Sequence, residues 1–296
     1  MGLLLKEGTF DASPEAVEAS NIFPLCTGRL RREAVGKSPR DPKSVEITLR
    51  REGYRVELHD DCTVLYQGWR FVAFTGKHRG SIPKKTFQEI LEQFLKINYE
   101  SLSGEYGPYV RDTQAVETSL NIDGKSNSVR RWEGGDGDRN IRTALAKLED
   151  GIDRLANTAR WTNGNSETIG SLKEENWNFK SKEAANTLVR VALYGNAAAV
   201  RDLIAAGVSL NGRDEVQRWG LMIPSGFDAG NTALERAAFR GDIDMLHVLL
   251  DVGAGRGDPK LTDAAIAKAE KSKKLKAEIL LRQYASGKHL HNVPQP

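Results

Sequence analysis

The chain has few cysteines, no long apolar run and little net charge, and each shortage excludes a class of protein. Cys26 and Cys62 are the only cysteines among 296 residues, so no framework of disulfides can hold the fold together. We expect two unpaired thiols, with a single disulfide as the alternative in an oxidising compartment. No apolar run approaches the roughly 18 residues that a membrane span requires, and the mean hydropathy is −0.48. We therefore expect no membrane span.

The remaining composition is that of a globular protein. Apolar residues make up 39% of the chain, and 28 glycines add to them, which is ordinary for folded domains. At roughly 150 residues per domain, the length predicts two domains. The opening apolar run, Leu3 to Leu5, is shorter than the roughly 7–15 residues of a signal-peptide core. We expect a cytoplasmic location, with the periplasm or secretion as the alternative if a signal peptide has been removed.

Period-two alternation between residues 44 and 132 predicts several half-buried strands. Strands are expected near residues 45–49, 54–58, 63–66, 69–75, 118–122 and 128–132, with turns at Asp60-Asp61 and Asp123-Gly124. Residues 77–82 are expected to form a loop. Apolar residues at helical spacing predict one helix after Pro83 and another from about Ile141 to Ala159. This order predicts an α+β fold in which an antiparallel sheet carries two helices on one face.

The last third of the chain contains an internal repeat. Leu188, Ala192, Gly195 and Gly207 recur 46 positions later as Leu234, Ala238, Gly241 and Gly253. This pattern resembles the ankyrin repeat, whose period is about 33 residues, and the excess lies in a long insertion between Asn211 and Gly230. A weaker third copy is rich in lysine, as a terminal cap should be. The departures from the ankyrin pattern are Ala233 and Glu235, where proline and histidine are typical.

The domain boundaries follow from these patterns. We expect the first helix pair to rest on the linker or on the α+β domain, because two repeats and a cap are few for a stable stack. The predicted units are an extension (1–43), the α+β domain (44–161), a linker (162–183), a short all-α ankyrin stack with its cap (184–286) and a tail (287–296).

The α+β region also carries a resemblance. The run from Tyr54 to Gly68 and the run from Leu148 to Trp161 are similar to an uncharacterised bacterial domain family of unknown function. Members of that family are often followed by ankyrin repeats. Many relatives have a Cys-Pro segment before the position of Tyr54, whereas this chain has Glu52-Gly53. The resemblance covers residues 44–161 and implies no activity.

Familiar catalytic motifs are missing from the sequence. It contains no G-x-S-x-G, H-E-x-x-H or C-x-x-C motif, and no phosphate-binding loop. His59, Asp60 and Asp61, together with His78, could form an acid/base or metal cluster, or the aspartates could simply form a hydrated turn.

A second acidic segment has a partial calcium pattern. Asp136, Asp138 and Asn140 occupy positions 1, 3 and 5 of a calcium loop, but Ile141 and Lys147 stand where the glycine and the final glutamate are required. The alternative is a helix entry loop whose acidic residue caps the helix. We expect no required cofactor, with a bound Ca²⁺ ion as the alternative.

The long insertion is the most distinctive candidate for recognition. It is rich in large apolar residues, which either dock on the α+β domain or form an exposed contact patch. The basic C-terminal region contains Tyr284 as its one aromatic residue between Lys260 and Lys288, so we expect a solvated cap rather than a nucleic-acid site.

The sequence thus predicts a protein–protein interaction module that binds a protein partner through the ankyrin concave face and the inter-repeat loop. The alternative is a metal-assisted hydrolase of a small ester, lactone or amide, with a small molecule as substrate. The candidate partner-binding residues are Arg213, Arg218, Trp219, Met222, Phe227 and Arg236. The candidate catalytic residues are His59, Asp61 and His78, and the candidate metal ligands are Asp136, Asp138 and Asn140.

Overall fold

A computed structural model describes residues 44–109, 111, 113–134, 138–214 and 230–287. Its first half is a seven-stranded sheet with the order β4-β3-β2-β1-β6-β7-β5. Neighbouring strands are antiparallel, except that β5 runs parallel to β7. The strands are β1 (Val45–Arg50), β2 (Tyr54–His59), β3 (Thr63–Gly68), β4 (Gly76–Ser81), β5 (Gly104–Tyr106), β6 (Ala115–Ile122) and β7 (Lys125–Trp132).

Two amphipathic helices cover one face of this sheet, as the helical spacing predicts. They are α1 (Lys84–Lys96) and α2 (Arg139–Leu155), and they pack against each other. Phe87 and Ile90 of α1 and Leu145 and Ile152 of α2 share one core with the inward side chains of the strands. The opposite face, which carries Arg50, Arg55 and Glu117 in one row across β1, β2 and β6, is the open face. The α+β fold is therefore confirmed.

The predicted hairpin turns are present. Asp123 and Gly124 adopt φ values of 53° and 82°, the left-handed pair that a two-residue turn requires, and they join β6 to β7. Cys62 closes the turn between β2 and β3 with φ of 66°. The structure has Cys62 in a disulfide, so the expectation of unpaired thiols was wrong. Cys26, the other cysteine, lies outside the described residues.

The fourth strand was predicted in the wrong place. Residues 69–75 are not a strand; instead Ala73 and Phe74 donate backbone hydrogen bonds to the carbonyls of Thr162 and Trp161, at 2.7 and 2.9 Å. The strand is β4, in the segment predicted as a loop. Its pairing with β3 places His78 opposite Tyr66 and Gly80 opposite Val64.

The second half of the molecule is helical, and the segment predicted as a linker contains part of it. Leu172, in the middle of that segment, is fully buried, and α4 packs on α6. The first helix pair thus rests on the linker segment, as expected. The helices are α3 (Ala159–Thr162), α4 (Thr168–Glu174), α5 (Lys182–Tyr194), α6 (Ala197–Ala205), α7 (Ala233–Arg240), α8 (Ile243–Asp251), α9 (Pro259–Lys271) and α10 (Leu275–Ala285).

The six helices from α5 to α10 form three antiparallel pairs stacked in two layers. One layer contains α5, α7 and α9, and the other contains α6, α8 and α10. The repeated leucines and alanines are buried, whereas Gly207 and Gly253 follow the second helix of their pairs with φ of 100° and 90°. No helix in the described ranges is both long and apolar enough to cross a bilayer.

Candidate functional site

The candidate site is the base of the insertion between the first two helix pairs. Residues 215–229 lie outside the described part of the chain, and with them Arg218, Trp219, Met222 and Phe227. The residues on either side belong to the described part. Asp214 and Gly230 mark the two ends of the insertion, and we call the hydrogen-bonded group around them the loop base: Arg213, Asp214, Gly230, Asn231 and Arg236.

Backbone hydrogen bonds join the two ends of the insertion directly. The Asp214 amide donates to the Asn231 carbonyl at 3.0 Å, and the Gly230 amide donates to the Asp214 carbonyl at 2.9 Å. The Asp214 carboxylate also accepts from the Asn231 amide at 2.8 Å, and the Arg213 guanidinium donates to the Gly230 carbonyl at 2.5 Å. The two ends of the insertion therefore meet at one point of the helical stack.

A buried ion pair fixes this point to α7. The Arg236 guanidinium donates through Nε to Asp214 Oδ2 at 2.5 Å, and the two side chains are only 5% and 12% exposed. Arg236 was predicted to contact a partner, but it lies inside the protein and holds the loop base. Arg213, predicted for the same role, has a side chain that is 56% exposed and remains accessible.

The other side of the loop base is fixed to α5. The Arg213 amide donates to Asn186 Oδ1 at 3.2 Å. A Cβ atom on Gly212 would lie 1.9 Å from the Ala185 carbonyl oxygen, so only glycine allows this close approach to the helix. A capping box closes the start of α7. The Thr232 side chain accepts a hydrogen bond from the Glu235 amide, and the Glu235 side chain accepts one from the Thr232 amide.

The charges of the loop base act on a tyrosine near it. Burial raises the pKa of Tyr194, at the end of α5; Arg236 opposes this rise and Asp214 adds to it. The Tyr194 ring meets the ring of Phe71, from the loop after β3, edge to face at 6.3 Å. The helical stack and the sheet domain therefore touch beside the loop base.

The predicted catalytic residues do not form one group. His59 projects from the open face of the sheet, whereas His78 lies on the helix-covered face opposite Tyr66. His78 is 8% exposed, and its Nδ1 lies 2.8 Å from Glu175 Oε2. Asp61 accepts a hydrogen bond from the Thr63 amide at 2.8 Å, and this bond lowers the pKa of its carboxyl.

Two of the three predicted calcium ligands lie within the described residues. Asp138 caps the N-terminus of α2, where its carboxylate accepts from the Ile141 amide at 3.4 Å. Asn140 is exposed in the first turn of that helix, and Asp136 lies outside the described residues. In the ranges that the structure covers, no group of three or more His, Cys, Asp and Glu residues could hold a metal ion.

At one end of the open face the structure contains a cleft that no sequence pattern predicted. The cleft has a volume of about 810 Å³ and lies between β1, the loop after β3, the start of β6 and the end of β7. Its main lining side chains are Arg50, Trp69, Phe71, Ala115, Arg130 and Trp132. Arginines and tryptophans scattered over 80 residues of sequence gave no local pattern, because only strand pairing brings them together.

Comparison with known proteins finds a similarity in the sheet domain. Residues 52–156 match the model of a domain of unknown function (DUF6438), which confirms part of the resemblance noted in the sequence. The match covers about a third of the chain. No ankyrin repeat family is detected in the chain. In the searches of curated proteins and of solved structures, nothing matches it.

Proposed function

We propose that this chain is a non-enzymatic interaction module, which binds a protein partner through the insertion carried by its helical stack. The observation that supports this proposal best is the loop base, where the two ends of the insertion are hydrogen-bonded to each other and fixed to α5 and α7. A segment held at both ends loses less conformational entropy on binding than a free one. Such a base is suited to presenting a recognition loop.

The composition of the insertion supports the same proposal. Residues 215–229 include Arg218, Trp219, Met222 and Phe227. Arginine, tryptophan and other aromatic residues carry much of the binding energy at protein interfaces. On the described side of the loop base, Arg213 adds an accessible cation.

We also propose that the three helix pairs are a short ankyrin-type stack. Ala192 and Ala238 are fully buried at matching positions 46 residues apart, and the glycines that follow each pair have positive φ. Small buried residues let neighbouring helices approach closely, and repeat stacks of this kind commonly serve as binding scaffolds. Recognition by the concave face is restricted at α7, because Glu235 and Arg236 are buried there.

The hydrolase alternative finds less support. General acid/base catalysis needs its groups within hydrogen-bonding reach of one reacting atom. His59 and His78 lie on opposite faces of the sheet, and both ring nitrogens of His78 already have neighbours, at 2.8 and 3.3 Å.

The test is to replace the insertion while keeping its base. Because Asp214 and Gly230 already exchange backbone hydrogen bonds with the opposite end, a short Gly-Ser linker in place of residues 215–229 should close the chain without strain. We expect the loop-replaced chain to keep its melting temperature within a few degrees. Affinity purification from extracts of the native cells, with quantitative mass spectrometry, then compares it with the unmodified chain.

The double variant Trp219→Ala with Phe227→Ala is the matched variant, because it keeps the length of the loop. The proposal predicts that the same proteins are enriched by the unmodified chain and lost with both variants. Equal enrichment by all three chains would refute it.

A further inference from the structure

The cleft on the open face contains no residue of the loop base, and its shape follows from one small side chain. Ala115 of β6 pairs with Trp132 of β7 and is followed on the same face by Glu117, which pairs with Arg130. The methyl group of Ala115 leaves a depression between these large neighbours. The loop that contains Trp69 and Phe71 forms one wall. The volume of about 810 Å³ lies within the range of small-molecule sites.

The two tryptophans of the cleft are held in place by hydrogen bonds. Trp69 Nε1 donates to the Glu52 carbonyl at 2.6 Å, and Trp132 Nε1 donates to Glu105 Oε2 at 3.0 Å. Their ring orientations are therefore fixed before any ligand arrives. Indole rings offer flat apolar faces on which a planar ring can stack.

A third aromatic side chain of the cleft is exposed on a strained backbone. Phe71 is 56% exposed and has φ of 56°, a conformation that bulky residues rarely adopt. The Arg70 guanidinium lies 5.3 Å from the centre of its ring. Strained conformations of this kind are concentrated at ligand sites, and this one keeps an apolar ring at the mouth of the cleft.

Among the described residues that line the cleft, one cation has no carboxylate partner. The two lining carboxylates already have arginine partners within the lining, since Glu52 pairs with Arg70 at 2.6 Å and Glu117 with Arg130 at 3.4 Å. Arg51 pairs with Asp153, from α2, at 2.7 Å.

Arg50 is exposed, and its guanidinium lies 5.9 Å from the centre of the Trp69 ring. Within the described part of the chain, no carboxylate lies within 4.0 Å of it. A guanidinium recognises carboxylate and phosphate through paired hydrogen bonds.

From these observations we propose that the cleft binds a small anion that carries a planar ring, such as an aryl carboxylate or an aryl phosphate. Arg50 receives the anionic group, and the rings of Trp69, Phe71 and Trp132 contact the planar part. This site shares no residue with the loop base, and it would add a small-molecule ligand to the module.

Isothermal titration calorimetry of the full chain with four probes tests the proposal. Naphthoate and naphthyl phosphate carry both features, naphthalene methanol has the ring without the charge, and acetate has the charge without the ring. We expect binding of at least one of the first two, and at least tenfold weaker binding of the other two. The stronger of the charged probes shows whether carboxylate or phosphate is preferred.

Two variants with matched controls locate the site. Arg50→Gln should weaken binding at least tenfold, as expected for the loss of a charge-assisted hydrogen bond. Arg55→Gln, at the neighbouring position of the same row, should change it less than twofold. Ala115→Leu should fill the depression above Ala115 and abolish binding. Ser119→Leu should leave binding unchanged, because Ser119 lies on the same face of β6 but outside the lining.

Three results would overturn the proposal. One is the absence of binding by both charged aryl probes at millimolar concentration, and another is equal affinity for the neutral ring. The third is binding that survives both Arg50→Gln and Ala115→Leu. Far-UV circular dichroism and thermal melting confirm that each variant is folded, and loss of the loop-dependent protein partner would leave these results unchanged.

Discussion

Removal of the Arg236 side-chain charge should weaken the helical stack by a measurable and predictable amount. Arg236 is 4% exposed, and its partner Asp214 is fixed by the loop base. In Arg236→Met, the carboxylate would keep the hydrogen bond from the Asn231 amide at 2.8 Å but lose both nitrogens of the guanidinium. Breaking a buried pair by removing one partner costs about 3–5 kcal/mol. We expect a loss of about 3 kcal/mol in the free energy of unfolding, because one hydrogen bond to Asp214 remains.

Urea unfolding followed by far-UV circular dichroism measures this loss, and a double-mutant cycle shows whether it belongs to the pair. Asp214→Asn alone leaves the arginine buried without its carboxylate and should also be costly. The double variant removes both charges, so it should cost at least about 1.5 kcal/mol less than the sum of the single variants. Arg213→Met is the control, and its exposed side chain should contribute less than about 1 kcal/mol.

Two results would refute the reasoning. A cost below about 1 kcal/mol for Arg236→Met would mean that the buried ion pair does not hold the loop base. Additive costs in the cycle would mean that the two side chains act independently.

Three further predictions concern the rest of the fold. Gly207→Ala should lower the free energy of unfolding by about 1 kcal/mol in the urea assay, because the φ of Gly207 is 100°. Gly170→Ala should raise it by about 0.5–1 kcal/mol, because Gly170 lies in helix α4 and its new Cβ would have no heavy atom within 4 Å. Burial raises the pKa of Tyr99 from 10.0 to about 12. The stability that the neutral Tyr99 hydroxyl contributes should therefore be complete below pH 10 and be lost as the pH rises towards 12, which urea unfolding across that pH range measures. Arg131→Met should cost about 3–5 kcal/mol in urea unfolding because Glu149 is 1% exposed, whereas Arg131→Met with Glu149→Leu should restore most of the stability.

Each of these has a result that contradicts it. Equal changes in the free energy of unfolding for Gly207→Ala and Gly170→Ala would mean that backbone conformation does not determine these changes. Tyr99→Phe should flatten the alkaline loss of stability, and an unchanged loss would assign it to other groups. If the Arg131–Glu149 double variant is as unstable as Arg131→Met, the cost comes from packing rather than from the buried charge.

The sequence predicted the elements whose residues follow a local period. The strands β1, β2, β3, β6 and β7 and the helices α1 and α2 lie where alternation and helical spacing placed them, and the Asp123-Gly124 turn has the expected left-handed backbone. These features depend on side chains that are neighbours in sequence, so the pattern carries the information.

The edge strand β4 shows why the rest could not be predicted. Its six residues include two glycines, a lysine and an arginine, whereas the apolar segment before it, with Val72 and Phe74 buried, reads as a strand. That segment is buried because its backbone bonds to Trp161 and Thr162, nearly 90 residues away. Gly80 is suited to β4 because a Cβ there would lie 3.2 Å from the Trp161 ring.

By itself, then, the sequence determined the α+β order, the helical repeat and the residue content of the insertion, since each depends on residues that are close together in the chain. The tertiary structure alone decided that Arg236 lies inside the loop base, that His59 and His78 lie on opposite faces of the sheet, and that Arg50, Trp69 and Trp132 share a cleft. The physical reason is that burial and proximity depend on which distant strands and helices pair. Those pairings are set by the packing of the whole chain.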